Sequence, residues 1–209
     1  MFKELSLLFA GFPVAIILYN NYKYRKLTEK LKVEDSYNYE CMFITSKNRT
    51  CASHIRRKNQ CGQECSYKYL RHVLNLIKQA KETISICMYH LTLEEISTAL
   101  IKAKNRGVKV RCISDIIMME CSSSKIMRLH KTGIPAKVQN THQSLMHHKF
   151  MIIDADNPNN KQLMFGSLNH TIKGFLGNWD NTITTNNAQM IESYQEEFDR
   201  MWETFKFVC

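Results

Sequence analysis

The chain has 209 residues, which suits a single domain and is long enough to bury a hydrophobic core. Its hydrophobic content of 44% is ordinary for a globular protein. The net charge of +10, from 29 Lys and Arg against 19 Asp and Glu, favours anionic partners such as nucleic acid or acidic lipid, although a merely soluble basic surface gives the same count.

Residues 1–22 are predicted to be an N-terminal transmembrane anchor. No charged residue occurs from Leu5 to Tyr22, and about 20 apolar residues suffice to cross a bilayer as a helix. A cleaved signal peptide is the alternative. It is disfavoured because Lys3 is offset by Glu4 and no small-residue cleavage site follows.

Residues 23–40 are predicted to be a basic juxtamembrane linker. Basic residues next to a span prefer the cytosolic side, so the remaining chain is expected to face the cytosol. A short span with a basic flank also suits a single-pass anchor in the outer mitochondrial membrane, although the sequence alone does not identify the organelle.

Residues 41–66 are predicted to form an irregular insert or small subdomain, because they show no clean periodicity. The chain has eight cysteines, which in the cytosol stay reduced and, where clustered, favour metal binding. Four soft ligands lie within fifteen residues: Cys51, His54, Cys61 and Cys65. This set predicts a closed, structural zinc site. Two disulfides or free thiols are the alternatives, with Cys41 as a substitute ligand.

Residues 67–209 are predicted to form an α/β layered domain, because strand and helix patterns alternate. Strands are predicted over 83–89, 108–114, 134–139, 145–154, 163–167 and 182–184, and helices from 67 to about 80, from a capping box at 92–95 to Gly107, and over 122–132 and 188–205. Asp156 to Lys161 is predicted to be a polar turn.

The pattern H-x-K-x4-D over residues 147–154 supplies the first candidate catalytic residues, His147, Lys149 and Asp154. Alternation along a strand places His147, Lys149 and Met151 on one face, with the first two about 7 Å apart. A neutral imidazole can attack phosphorus, and an ammonium group can hold a non-bridging oxygen. His148 is expected on the opposite face, as a packed or hydrogen-bonded structural residue.

A second cluster of candidate site residues lies downstream of His147, Lys149 and Asp154. It strengthens the catalytic interpretation, because the pattern H-x-K-x4-D alone also arises by chance. Gly166, Ser167 and Asn169 form G-S-x-N at a predicted strand end, where Gly permits close backbone approach and the polar side chains supply hydrogen bonds. Asp180 follows eleven residues after Asn169 and is a candidate to orient the imidazole.

These motifs resemble the HKD signature of the phospholipase D superfamily, H-x-K-x4-D followed by G-S/G-x-N. The resemblance extends from about Tyr67 to Phe205. The N-terminal segment, the Cys/His insert and the closing Glu196–Trp202 resemble the Zucchini, or mitochondrial cardiolipin hydrolase, branch. This resemblance implies a mixed sheet flanked by helices, and it also favours a zinc ion bound by the Cys/His insert.

The resemblance further implies a homodimer, because the chain has one HKD motif and the family's active site uses two. One His147 would form a phosphohistidine, and the partner's would protonate the leaving oxygen and activate water. Lys149 and Asn169 would bind phosphate oxygens, Ser167 would assist, and Asp180 would orient His147. Asp154 is expected to be structural, and no catalytic metal is implied.

Two departures from the family pattern are visible. Eleven residues separate Asp154 from Gly166, more than the usual spacing, which suggests an insertion at 156–161. The orienting acid is usually Glu, so Asp180 reaches one methylene less far.

The resemblance implies two candidate functions, and a non-catalytic role is the third alternative. The first is a metal-independent, single-strand-specific endoribonuclease in piRNA biogenesis, with Arg56, Arg57 and Lys58 guiding the RNA backbone, unless these charges are only a solvated loop. The second is a cardiolipin hydrolase that produces phosphatidate at the mitochondrial surface. The third is a catalytically silent membrane tether, which the intact His147, Lys149 and Asn169 disfavour.

Overall fold

The computed structural model of the chain describes residues 15–29, 37–45, 47, 51–58, 61–62 and 65–208. The chain divides into two units, Met1–Asn38 and Tyr39–Cys209. The first contains helix α1, described over 15–29. No helix within the described ranges is long and apolar enough to span a bilayer. Most of the predicted anchor falls on residues 1–14, which lie outside the described residues, as do 30–36 of the predicted linker.

The second unit alternates strands and helices, as the sequence predicts. Its elements are β1 (Tyr39–Ile44), α2 (Ala52–Arg57), α3 (Ser66–Gln79), β2 (Thr83–Met88), α4 (Glu94–Asn105), β3 (Lys109–Ser114), α5 (Ile116–Glu120), α6 (Ile126–Lys131), β4 (Ala136–Val138), β5 (Lys149–Ile153), β6 (Gln162–Gly166), α7 (Ile172–Leu176), β7 (Asp180–Thr185), α8 (Ala188–Thr204) and β8 (Lys206–Phe207).

The strands form one mixed sheet in the order β1-β7-β6-β5-β2-β3-β4-β8. β2, β3 and β4 are mutually parallel, while β5 runs against β2, β6 against β5 and β7 against β6. The carboxyl ends of β2, β3 and β6 therefore lie at the same edge as the amino ends of β5 and β7. This edge carries the candidate active site.

Both faces of the sheet are covered, which explains the nearly continuous apolar sequence of β5. Met151 and Ile153 pack into the larger core with α3 and α4. Phe150 and Ile152 pack on the other face, against Phe198 of α8. The predicted mixed sheet flanked by helices is confirmed.

Several predicted boundaries are wrong. Cys41 to Ile44 is not irregular but belongs to β1, which pairs with β7 and so begins the sheet before the insert. The capping box predicted at Thr92 is not formed, because the N-cap of α4 is Leu93, which makes no side-chain hydrogen bond. The backbone N–H groups of Thr92 and Leu93 both donate to the His170 carbonyl.

The strand predicted over 145–154 is shorter than expected, since β5 begins only at Lys149. The Met146 N–H donates to the Asp115 carboxylate at 3.0 Å, so it does not take part in strand pairing. The helix predicted over 122–132 also begins later, at Ile126.

Candidate active site

The candidate catalytic residues lie where neighbouring strands begin or end. Lys149 opens β5 and faces Met88 at the end of β2. Gly166 closes β6, and Asp180 opens β7. The sheet thereby brings segments far apart in the sequence to one edge.

His147 and Lys149 are adjacent, although His147 precedes the strand and does not lie on a shared strand face as predicted. The Lys149 Nζ donates to the His147 backbone oxygen at 2.7 Å. Tyr89 contacts both side chains: its ring centroid is 4.6 Å from that of His147 and 4.9 Å from the Lys149 Nζ. Tyr89, which no sequence pattern marked as functional, therefore brings the two together.

The surroundings favour a neutral imidazole beside a cation. Partial burial lowers the pKa of His147, and the positive charge of Lys149 lowers it further, while Asp115 opposes the change. Burial also lowers the pKa of Lys149, and the negative charge of Asp180 counteracts this. A neutral imidazole has a free lone pair for attack on phosphorus.

Ser167, Asn169 and Asp180 converge on the same edge. The Ser167 hydroxyl donates to Asp180 Oδ1 at 2.7 Å and accepts from the Asn181 backbone N–H at 3.0 Å. Among the described residues, Asn169 Oδ1 and Asp180 Oδ2 are buried and have no partner. These atoms remain available to bind and orient a substrate or a second copy's side chain.

Gly166 makes this convergence possible. A Cβ at this position would lie 2.3 Å from the Asn181 carbonyl oxygen and 2.8 Å from Thr182 Cα. Only glycine lets β6 approach β7 closely enough for the Ser167 contact. Within the described chain, no hydrogen bond joins Asp180 to His147, so the predicted orienting contact is not formed within one chain.

Asp154 lies at the opposite end of β5 from Lys149. Its carboxylate accepts three backbone N–H groups, from Lys81 at 2.9 Å and from Glu82 and Thr83 at 2.8 Å each. Its φ of 49° falls in the left-handed region, which Asp tolerates better than most residues. Asp154 therefore fastens the entry of β2 to the exit of β5 and does not reach the reacting group.

His148 lies on the α8 side of the sheet, with its side chain 52% exposed. Its ring packs edge-on against Phe150 at 5.8 Å, and its Nε2 lies 3.6 Å from a Glu197 carboxylate oxygen. Both partners lie on the α8 side of the sheet. His148 is thus engaged away from Tyr89 and Lys149.

The predicted zinc ligands form one cluster at the start of α2 and α3. The ligand atoms of Cys51, His54, Cys61 and Cys65 all lie within 4.8 Å of one another. The Cys51 and Cys61 sulfurs are 3.9 Å apart, and the Cys65 sulfur is 3.7 Å from His54 Nδ1. Tetrahedral zinc with Zn–S bonds of about 2.3 Å requires S–S separations of roughly 3.8 Å, so the four residues fit the ion.

The predicted cationic residues Arg56, Arg57 and Lys58 are exposed at the end of α2. The insert is connected to the active-site edge, because the Ser66 hydroxyl at the start of α3 donates to the Phe175 carbonyl of α7, at 2.6 Å. α7 directly follows the loop that carries Asn169.

Comparison with known proteins agrees with these motifs. The family model described as "Cardiolipin synthase, PLD-like domain" matches residues 73–202. A protein named mitochondrial cardiolipin hydrolase from Chlamydomonas reinhardtii is 31% identical over 171 residues, covering 80% of this chain and 74% of the relative. One of the same name from Drosophila melanogaster is 32% identical, covering 80% and 76%.

Solved structures show the same fold. Nuc from Salmonella typhimurium, a phospholipase D family member, superimposes with a TM-score of 0.63 at 22% identity, covering 83% of this chain and 99% of that one. NucT from Helicobacter pylori gives a TM-score of 0.64 at 20% identity, covering 83% and 100%.

The fold and the HKD residues define a hydrolytic phosphodiesterase of the phospholipase D type. Within that superfamily, the chain belongs to the Zucchini, or mitochondrial cardiolipin hydrolase, branch.

Proposed function

We propose that this phosphodiesterase is a single-strand-specific endoribonuclease that acts in piRNA biogenesis as a homodimer, without a catalytic metal. The observation that carries the choice of RNA is the combination of exposed cations at the end of α2 and an exposed aromatic ring next to Asp180. Arg56, Arg57 and Lys58 suit a polyanionic backbone. Trp179 is 78% exposed and directly precedes Asp180, where its ring can stack on a base.

The reaction proceeds in two displacements. His147 attacks phosphorus through a neutral ring nitrogen, the P–O bond to the leaving strand breaks, and a phosphohistidine forms. The partner's imidazolium gives its proton to the leaving oxygen. It then takes a proton from water, whose oxygen attacks phosphorus and releases His147.

Lys149 and Asn169 are assigned to the phosphate oxygens. The ammonium group of Lys149 offsets the charge that develops on the non-bridging oxygens, and Asn169 contributes a hydrogen bond from its amide. Ser167 assists by fixing Asp180. Asp180, with one carboxylate oxygen unpartnered in the described chain, is available to orient an imidazole of the dimer.

Cardiolipin hydrolysis to phosphatidate is the second candidate. Exposed apolar side chains occur at the same edge of the sheet: Leu145, two residues before His147, is 55% exposed, and Ile172, three after Asn169, is 48% exposed. Such residues suit contact with a bilayer. The names of the relatives point in the same direction.

We place the enzyme in the outer mitochondrial membrane, held by a single-pass anchor over 1–22 with the catalytic domain in the cytosol. The uncharged segment from Leu5 to Tyr22, the basic residues that follow it and the mitochondrial name of the relatives support this assignment.

The deciding experiment presents the full chain, in detergent or liposomes, with labelled single-stranded RNA and separately with cardiolipin vesicles. Buffers are freed of divalent cations without a chelator, so that metal held by the Cys/His cluster is not removed. We expect RNA cleavage, no effect on double-stranded RNA, and vesicles left intact.

Two adjacent histidines supply a matched pair of variants. His147→Asn is expected to lose at least about 1,000-fold in rate, because it removes the nucleophile, whereas His148→Asn is expected to stay within about threefold of the wild type. Phosphatidate release that depends on His147 would favour the lipid candidate instead. Activity on neither substrate would favour the tether.

A further inference from the structure

A second buried carboxylate lies at the active-site edge, at a position that no sequence motif marks. Asp115 follows the last residue of β3 and is fully buried. Its Oδ1 accepts the backbone N–H groups of Ile117 at 2.9 Å and Met118 at 3.1 Å, which start α5. No cation pairs with Asp115 within the described residues.

The other oxygen of Asp115 holds the segment that leads to His147. Oδ2 accepts the Met146 backbone N–H at 3.0 Å and the Gln139 side-chain amide at 2.6 Å. The same Gln139 amide donates to the Ser144 carbonyl at 3.1 Å. The chain is therefore fastened at two points within three residues of His147, and the buried carboxylate of Asp115 contacts the backbone of Met146, which directly precedes His147.

Buried carboxylates are costly unless they accept several hydrogen bonds, as Asp115 does. If Asp115 only capped α5, its Oδ1 alone would be sufficient. Because Oδ2 binds the Met146 N–H, Asp115 also connects the end of β3 to the segment that precedes the candidate nucleophile, and this N–H takes no part in strand pairing.

We propose that Asp115 is a positioning residue for His147, holding the backbone that presents the imidazole and stabilising its protonated form during turnover. The inference rests on the proposed role of His147 as nucleophile. The charged groups that act on this imidazole are Lys149 and His148, which disfavour the protonated form, and Asp115, which favours it; Tyr89 packs against its ring.

The test measures kcat/KM against pH for the full chain and its Asp115→Asn variant, with labelled RNA or a chromogenic phosphodiester as the probe. We expect the acid limb, where His147 must lose its proton to attack, to move to lower pH, with at least about tenfold lower activity at the optimum. Glu120→Gln, which removes an exposed carboxylate on α5, is the matched control and should leave the limb in place.

Gln139→Met provides a second variant in case Asp115→Asn does not fold. It keeps the charge of Asp115 but removes one N–H donor that offsets it, so the NMR titration of the His147 ring should move to higher pH. An Asp115→Asn protein that folds with an unmoved acid limb would overturn the proposal. So would an unmoved His147 titration in Gln139→Met. Loss of activity in His147→Asn remains a separate test of the nucleophile itself.

Discussion

At the scale of single residues, Tyr89 contacts both His147 and Lys149, although the HKD pattern does not include it. Strand alternation predicted that His147 and Lys149 would lie together, and they do, but His147 stands outside the strand. The two side chains are brought together by their contacts with the Tyr89 ring and not by a shared strand face. The positive charge of Lys149 also lowers the pKa of His147, in addition to the larger effect of partial burial.

Replacing Lys149 by Met should raise the pKa of His147, because a neighbouring positive charge that disfavours the imidazolium is removed. The measurement is an NMR titration of the His147 ring, which does not require activity. Lys173→Met, on the exposed side of α7, should leave the titration unchanged. A His147 titration that is the same in both variants would show that Lys149 acts on substrate alone.

Asp154→Asn should destabilise the protein without disabling the chemistry. Burial alone would raise the pKa of Asp154, but N–H groups from Thr83, Lys81 and Glu82 together lower it. Asn tolerates the left-handed backbone but cannot accept all three bonds, so we expect a loss of about 2 kcal/mol at pH 7, with kcat within about threefold of the wild type.

The pH dependence of this effect has a definite sign. A carboxylate with a lowered folded pKa stabilises the protein above its unfolded pKa of about 3.9, and this stabilisation is lost as the pH falls through the folded value. The difference between wild type and Asp154→Asn in urea unfolding should therefore narrow below about pH 4. Asp156→Asn, at an exposed position nearby, should differ little from wild type at any pH.

At the scale of elements, the long periodic segments were predictable and the short ones were not. The strands at 83–89 and 108–114 and the final helix were predicted nearly at their observed positions. α5 and α7 have five residues each, fewer than two helical turns, so apolar spacing cannot reveal them.

The candidate site residues divide in the same way. Short local sequence patterns contain His147, Lys149, Ser167 and Asn169, and the residue types in these patterns indicate the chemistry. Tyr89 and Asp115 act through the ends of β2 and β3, and only the pairing of those strands with β5 and with each other reveals what they touch. Tertiary neighbours of this kind have no local sequence signal, beyond the rule that polar groups at strand ends often serve a site.

The Cys/His cluster predicts one bound zinc ion per chain that stabilises α2 against α3. Cys65→Ser should lose the metal, measured by elemental analysis of the purified protein, and lower the unfolding temperature by about 5 °C or more. Cys41 lies exposed on β1, outside the cluster, so Cys41→Ser should keep both metal and stability. If Cys41→Ser lost the metal and Cys65→Ser kept it, Cys41 would be a ligand in place of Cys65.

At the scale of the whole molecule, one HKD motif per chain predicts that two copies share one reaction. If each turnover needs both His147 side chains, co-expressing wild type with His147→Asn at equal levels should leave about one quarter of the activity, since random pairing makes one pair in four fully wild type. Independent sites would retain about half. His148→Asn in the same mixture should cause no comparable loss.

The place of β1 at the edge of the sheet also determines when the enzyme can mature. β1 is complete at Ile44, but its partner β7 begins only at Asp180. At a synthesis rate of about 5–20 residues per second, the first strand waits on the order of 10 s for its partner to leave the ribosome. β7 also contributes Asp180, so a nascent chain that already contains His147 and Lys149 still lacks the carboxylate assigned to orient an imidazole. The protein should therefore remain catalytically inert through most of its translation.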